Sequence, residues 1–176
     1  GSDISETTEI VPANLRGYTK DRYEVFQIPD CAGGWQDSSP DAHNAYVRAV
    51  DQRLGSKVKP LVRFMKAWKF YNSVPISSFY LEMRAAKYAA GENSIVYTID
   101  LRRIFDYLDD NDLPAVQDPM DVSGYIAPCS TDAKYREARS KIATARTRAD
   151  KAREAESNGK IQEAFSWWSL LFVTVR

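Results

Sequence analysis

Histidine is nearly absent from this chain: His43 stands alone among 176 residues. A histidine-based triad would have to start there, and no adjacent carboxylate or nucleophile completes one, so His43 is expected at the surface or as a cap. Cysteine is scarce as well. Cys31 and Cys129 have neither metal-ligand spacing nor a histidine cluster beside them, which excludes a zinc motif and a disulfide framework and leaves two reduced, structural thiols. No apolar run approaches the roughly 20 residues that cross a bilayer; the longest is Trp167-Trp-Ser-Leu-Leu-Phe-Val-Thr-Val175. With no secretory-leader pattern at the start of the sequence either, a cytoplasmic protein without a membrane partner is the expectation. An excess of one charge is also missing, since 24 basic residues balance 24 acidic ones. A neutral chain has no global field to draw in a polyanion, and no strong nucleic-acid binding is expected.

What is present is an ordinary globular composition, 44% hydrophobic and 27% charged, with length for one core or one and a fraction. Gly1-Ser2 reads as a cloning scar ahead of a natural segment that starts near Asp3. Helical periodicity dominates. Residues 41–54, 58–72, 78–90 and 99–109 are predicted helices, each bounded by Gly, Pro or polar residues. The longest helix is predicted over 132–157, where Ala138, Ile142, Ala145, Ala149 and Ala152 form a seam of small residues suited to close packing. Asn158-Gly159 ends it, and Ile161, Ala164, Phe165, Trp168, Leu171 and Phe172 mark an amphipathic final helix.

Two strands are predicted, over 7–13 and 22–29. A lone hairpin is marginal in water, so these strands either pack against the helices or belong to a larger sheet. Residues 30–41 read as a loop with an isolated Trp35, which either lines a cleft or covers a core edge, and 111–128 read as a long loop with three prolines. The fold class is therefore α+β, mostly α: a helical bundle over 41–176 with a small β portion over 1–40.

On the second predicted helix Leu61, Phe64, Met65, Trp68 and Tyr71 recur at helical spacing and face a core, while Lys59, Arg63 and Lys66 share another face. Ser77 or Ser78 then serves as the next N-cap, where free backbone N–H groups favour an anion. A basic stripe beside a serine-led helix start is a grip for a triphosphate. The carboxylates Asp100, Asp106, Asp109, Asp110 and Asp112 lack calcium-loop spacing and read as a solvated helix end. The cations from Lys134 to Arg153 are interleaved with acids and read as a soluble face.

Several short motifs occur in a telling order: Glu9-Ile-Val-Pro-Ala13, the Gly34-Trp35 loop leading to Pro40 and His43, Lys57-Val-Lys-Pro-Leu-Val-Arg-Phe-Met-Lys-Ala-Trp-Lys69, Ser77-Ser-Phe-Tyr-Leu-Glu82, Gln117-Asp-Pro119 and Ala164-Phe-Ser-Trp-Trp168. The ordered set resembles the bacterial cGAS/DncV-like nucleotidyltransferases of the polymerase-β superfamily, over nearly the whole chain. The resemblance implies a nucleotidyltransferase core joined to a helical lobe, with the nucleotide between them. It implies an enzyme that makes cyclic or linear oligonucleotide second messengers from nucleoside triphosphates (ATP, GTP or another) in antiphage signalling, and it leaves room for a regulatory protein partner.

The chemistry implied by the family uses two Mg²⁺ ions held by three carboxylates, two from an Asp-x-Asp pair after a Gly-Ser motif and a third just before Val-Pro-Ala. Glu9 occupies the third position here, in place of the more usual aspartate, and is the candidate catalytic and metal-binding residue. Lys66 matches the family lysine on the triphosphate and Ser78 the serine beside it; Phe79 either stacks on the base or belongs to the core. No Gly-Ser motif with an Asp-x-Asp pair precedes Glu9. The chain is thus expected to be the C-terminal segment of such an enzyme, inactive alone. The alternative is a non-catalytic helical binding or scaffolding module.

Overall fold

A computed structural model of the chain describes residues 11–29 and 33–172, so that Glu9, Cys31 and most of the strand expected over 7–13 lie outside the described residues. The fold is α+β and mostly α. Six helices are present among the described residues: α1 (Pro40–Arg53), α2 (Val58–Tyr71), α3 (Ser78–Ala90), α4 (Tyr97–Asp110), α5 (Asp132–Ser157) and α6 (Ile161–Phe172). Each predicted helix falls within two residues of its observed bounds.

Helix α2 is the centre of the bundle. Its apolar stripe buries Leu61, Met65 and Trp68, with the Trp68 ring edge-on to Phe105 of α4 at a centroid distance of 4.9 Å. The start of α2 lacks a cap from its own Lys57; instead the buried Asp51 carboxylate reaches over from α1 and accepts the Val58 and Lys59 N–H groups at 2.9 and 3.0 Å. Helix α5 packs against α4 and α6, and its predicted small-residue seam, Ala138 to Ala152, is buried throughout. Gly159 (φ +71°) supplies the left-handed turn that ends α5 and returns the chain as α6.

Of the two strands read from the sequence, the one over 22–29 is present, whereas residues 11–13 of the other carry no strand and pairing starts at Asn14. β1 (Asn14–Tyr18), β2 (Glu24–Pro29) and β3 (Trp35–Ser38) form an antiparallel meander with β2 central, paired Asn14↔Gln27 and Tyr18↔Glu24 on one side and Phe26↔Ser38 and Pro29↔Trp35 on the other. β3 lies in the predicted loop because Trp-Gln-Asp-Ser is short and polar and carries no alternation; the unpaired edge of β2 recruits it. Trp35 is 57% exposed on that strand and neither lines a cleft nor covers the core. Likewise the predicted 111–128 loop holds a two-residue ladder, β4 (Val116–Gln117) with β5 (Tyr125–Ile126).

The carboxylates at 100–112 are not a solvated end. Asp100 is buried and accepts the Tyr88 hydroxyl (2.6 Å) and the Val96 N–H (2.5 Å). Because α5 lies against α4, Arg146 reaches Asp106, Asp109 and Asp110 at 3.2, 3.0 and 2.5 Å, and Arg139 pairs with Asp112. Lys141 and Arg148 donate to backbone carbonyls of Ser73 and Leu170. Much of the basic face of α5 therefore ties the bundle together rather than facing solvent alone. No helix among the described residues is long and apolar enough to cross a membrane.

The burial pattern of α2 gives a direct test. Trp68→Ala is expected to lower unfolding free energy by about 3–5 kcal/mol in a denaturant titration. Phe70→Ala, two residues on and 76% exposed, is expected to change it by less than about 0.5 kcal/mol.

Candidate functional site

Where the sheet meets the bundle a cleft of about 900 Å³ opens, within the roughly 300–1,000 Å³ of small-molecule sites. Three hydrogen bonds set its walls. Ser39 Oγ donates to the Glu24 carbonyl (2.6 Å) and fixes β2 to the start of α1. Ser123 Oγ donates to the Asp37 carbonyl (2.8 Å) and fixes the β4–β5 turn to β3. The Ser77 N–H donates to the Pro128 carbonyl (2.8 Å) and fixes the start of α3 to the segment after β5. Ser77 also caps α3, its hydroxyl accepting the Tyr80 N–H at 3.3 Å.

Phe79 lines this cleft, as do Ser77, Glu82, Tyr125, Lys69 and Lys134. The predicted partnership of Lys66 with Ser78 takes a different form. Lys69, not Lys66, donates to the Ser78 hydroxyl, at 2.8 Å. Lys66 is paired with Glu82 at 2.5 Å and lines a smaller, neighbouring depression. Lys69 is the residue that sequence reading missed. Its signal was present in the same motif, one helical turn after Lys66 and therefore nearer the serine-led start of α3. Burial lowers the pKa of the Lys69 ammonium, and the Lys66 charge lowers it further.

His43 is not a surface residue. It is buried, and its Nε2 lies 2.8 Å from Asp118 Oδ2. The carboxylate accepts, so Nε2 carries the proton. Asp118 also accepts the N–H groups of Met120, Val122 and Ser123 at 2.9, 3.1 and 2.8 Å. Burial would raise the Asp118 pKa, but the hydrogen bonds from His43, Ser123 and Met120 outweigh it and hold the carboxyl at about 2. The other side of the imidazole meets Phe79 edge to face, with centroids 4.8 Å apart and planes at 69°. The chain Asp118–His43–Phe79 thus sets an aromatic ring in the cleft. Sequence could not pair His43 with Asp118 because 75 residues separate them and the ladder that closes the gap is two residues long.

Cys129 also borders the cleft, half-buried, and burial pushes its thiol up, which suits a structural rather than a reactive group. Among the described residues no three His, Cys, Asp or Glu side chains come together as a metal site. They supply no such cluster for the Mg²⁺ that the family resemblance implies.

This arrangement of helices and small antiparallel sheet is similar in fold to a solved nucleotide cyclase. The Vibrio cholerae di-nucleotide cyclase DncV, solved in complex with GTP and 5MTHFGLU2, matches 85% of this chain with a TM-score of 0.62 at 18% identity, using 39% of its own length. In sequence the chain is 25% identical over 167 residues to a probable cyclic nucleotide synthase of Bacillus cereus (strain VD146), covering 93% of this chain and 50% of that protein. The chain therefore spans about half the length of the curated relative it matches. No protein-family model matches the sequence. Both similarities point to the class that the ordered motifs resemble, the cGAS/DncV-like nucleotidyltransferases.

Asp118 makes the site's stability pH-dependent in a defined window. Folding lowers its pKa from 3.8 to about 2, so its contribution is complete above pH 3.8 and is lost as pH falls through about 2. The size is about 2 kcal/mol. In chemical denaturation from pH 5 to 2, wild type should lose that increment and Asp118→Asn, already weaker at pH 5, should not. Parallel curves for the two proteins would contradict the assignment.

Proposed function

We propose that this cleft holds a nucleoside triphosphate in a nucleotidyltransferase that makes cyclic or linear oligonucleotide second messengers, in the setting of antiphage signalling. The observation that carries the reading is the convergence of Lys69 and the Ser77-capped start of α3 on one side of a nucleotide-sized cleft, with Phe79 beside them and the Ser78 hydroxyl held by Lys69 at 2.8 Å. It is supported by the GTP in the DncV complex and by the name of the Bacillus cereus relative.

In this reading residues 14–38 form the edge of the catalytic core and 41–176 the helical lobe. Lys69 and Ser78 meet the phosphates, one as a charge and the other as a neutral donor. Lys66, matched by resemblance to the triphosphate lysine, stands one turn behind and is paired with Glu82, so that it meets the phosphates in this proposal by leaving that carboxylate. Phe79, with its ring set by His43, offers a face to the base. Glu9, outside the described residues, serves in the proposal as the third carboxylate of a Mg²⁺ site.

Titration of the chain with ATP and GTP tests the grip. Lys69→Ala should weaken binding by roughly 10–100-fold, the value of one charge-assisted hydrogen bond. Phe79→Ala should weaken nucleotide binding while leaving folding cooperativity intact. With the protein encoded by the natural gene, labelled nucleoside triphosphates and Mg²⁺ should give a phosphatase-resistant product that Lys66→Ala abolishes. A well-folded chain that binds neither nucleotide, from a gene product that forms no product, would make this a helical binding module instead.

A further inference from the structure

A second depression, of about 230 Å³, opens beyond Glu82, which with Asn44 lines both it and the nucleotide cleft. Its rim is basic, with Arg48 from α1 and Lys59, Arg63 and Lys66 from α2 around the single carboxylate of Glu82. Lys66 is taken by that carboxylate. Arg48, Lys59 and Arg63 are exposed and have no hydrogen-bond or ion-pair partner for their side chains among the described residues. Many cations elsewhere do have one: Arg16 with Asp37, Arg102 with Asp150, Arg139 with Asp112, Arg146 with the acids of α4.

The unpaired cations are also crowded. Lys59 and Arg63 stand four residues apart on α2, and Arg63 and Lys66 three apart, so like charges are neighbours on one face. Such spacing disfavours the helix unless an anion sits among them. The backbone N–H groups at the start of α2 are already taken by Asp51, so the attraction comes from side chains.

We propose that this depression is a binding site for a small polyanion, a di- or triphosphate group, separate from the nucleotide cleft. Its volume lies below the roughly 300 Å³ at which pockets begin to take a whole drug-sized ligand, and fits a phosphate cluster better than a nucleoside. A nucleic-acid backbone needs a track of free cations, and the lining of this depression offers only Arg48, Lys59 and Arg63.

Tripolyphosphate titrated into the chain at low salt, followed by calorimetry and amide chemical shifts, tests the proposal. Saturable binding is expected, with shifts centred on Arg48, Lys59 and Arg63. The double variant Arg48→Gln/Arg63→Gln should weaken it by about tenfold or more, and Lys69→Gln by less than about twofold. An unchanged melting temperature will show that these exposed substitutions leave the fold intact. Absence of saturable binding would overturn the site. So would binding that survives the double variant and vanishes in Lys69→Gln, which puts the anion in the cleft. Tighter binding of single-stranded DNA than of tripolyphosphate, lost in the same double variant, would make the patch a nucleic-acid surface. GTP binding is read in the same proteins, so that loss of the cleft reading with tripolyphosphate binding intact leaves this site standing.

Discussion

The carboxylate of Asp118 takes a proton donor from His43 and three more from the backbone of the β4–β5 turn, and the geometry of the cleft follows from that meeting. A buried charge is tolerated only when its lone pairs are filled. Filling them here joins α1, which carries His43, to a ladder too short to hold itself in place. The ladder in turn carries Tyr125 and, through Ser123, the end of β3. Phe79 leans on the imidazole from the α3 side. Four elements distant in sequence are thus set around one carboxylate, and the aromatic wall of the cleft is fixed before any ligand arrives.

Neutral total charge conceals a sharp division of labour among the cations. Several of those on α5 act within the bundle: Arg139 and Arg146 pair with acids at the end of α4, and Lys141 and Arg148 donate to carbonyls of Ser73 and Leu170. Those of α2 face outward on two sides of Glu82. Helix α2 therefore has a buried aromatic stripe, a lysine at the cleft and a basic flank, all within four turns. The stripe gives the other two their precision, because Trp68 and Met65 leave the helix no freedom to roll.

How much of this could be read from residues alone depended on the range of the information. The helices were legible, since each carries its own apolar periodicity and its own stop signals. β3, β4 and β5 were not, because strands of two to four residues carry no alternation and exist only through the partner that pairs with them. In the site, the serine cap of α3 was legible as a local motif. Lys69 was overlooked for Lys66 because a family pattern marks a position in sequence, whereas the side chain's reach depends on how α2 and α3 cross. His43 and the acids of α4 were misjudged for one reason: the partners that bury or neutralise them lie on elements far along the chain.

Asp51 closes the start of α2 with its own carboxylate, so the backbone there has no unfilled donors to offer. Whatever the flank of that helix recognises, it recognises with side chains alone. Recognition built on main-chain donors is shared by every sequence that keeps the fold, whereas a side-chain surface can be rewritten one codon at a time while the fold stays unchanged. The flank of α2 is thus free to diverge between relatives at a pace that the cleft, bound to its buried histidine and capped serine, cannot follow.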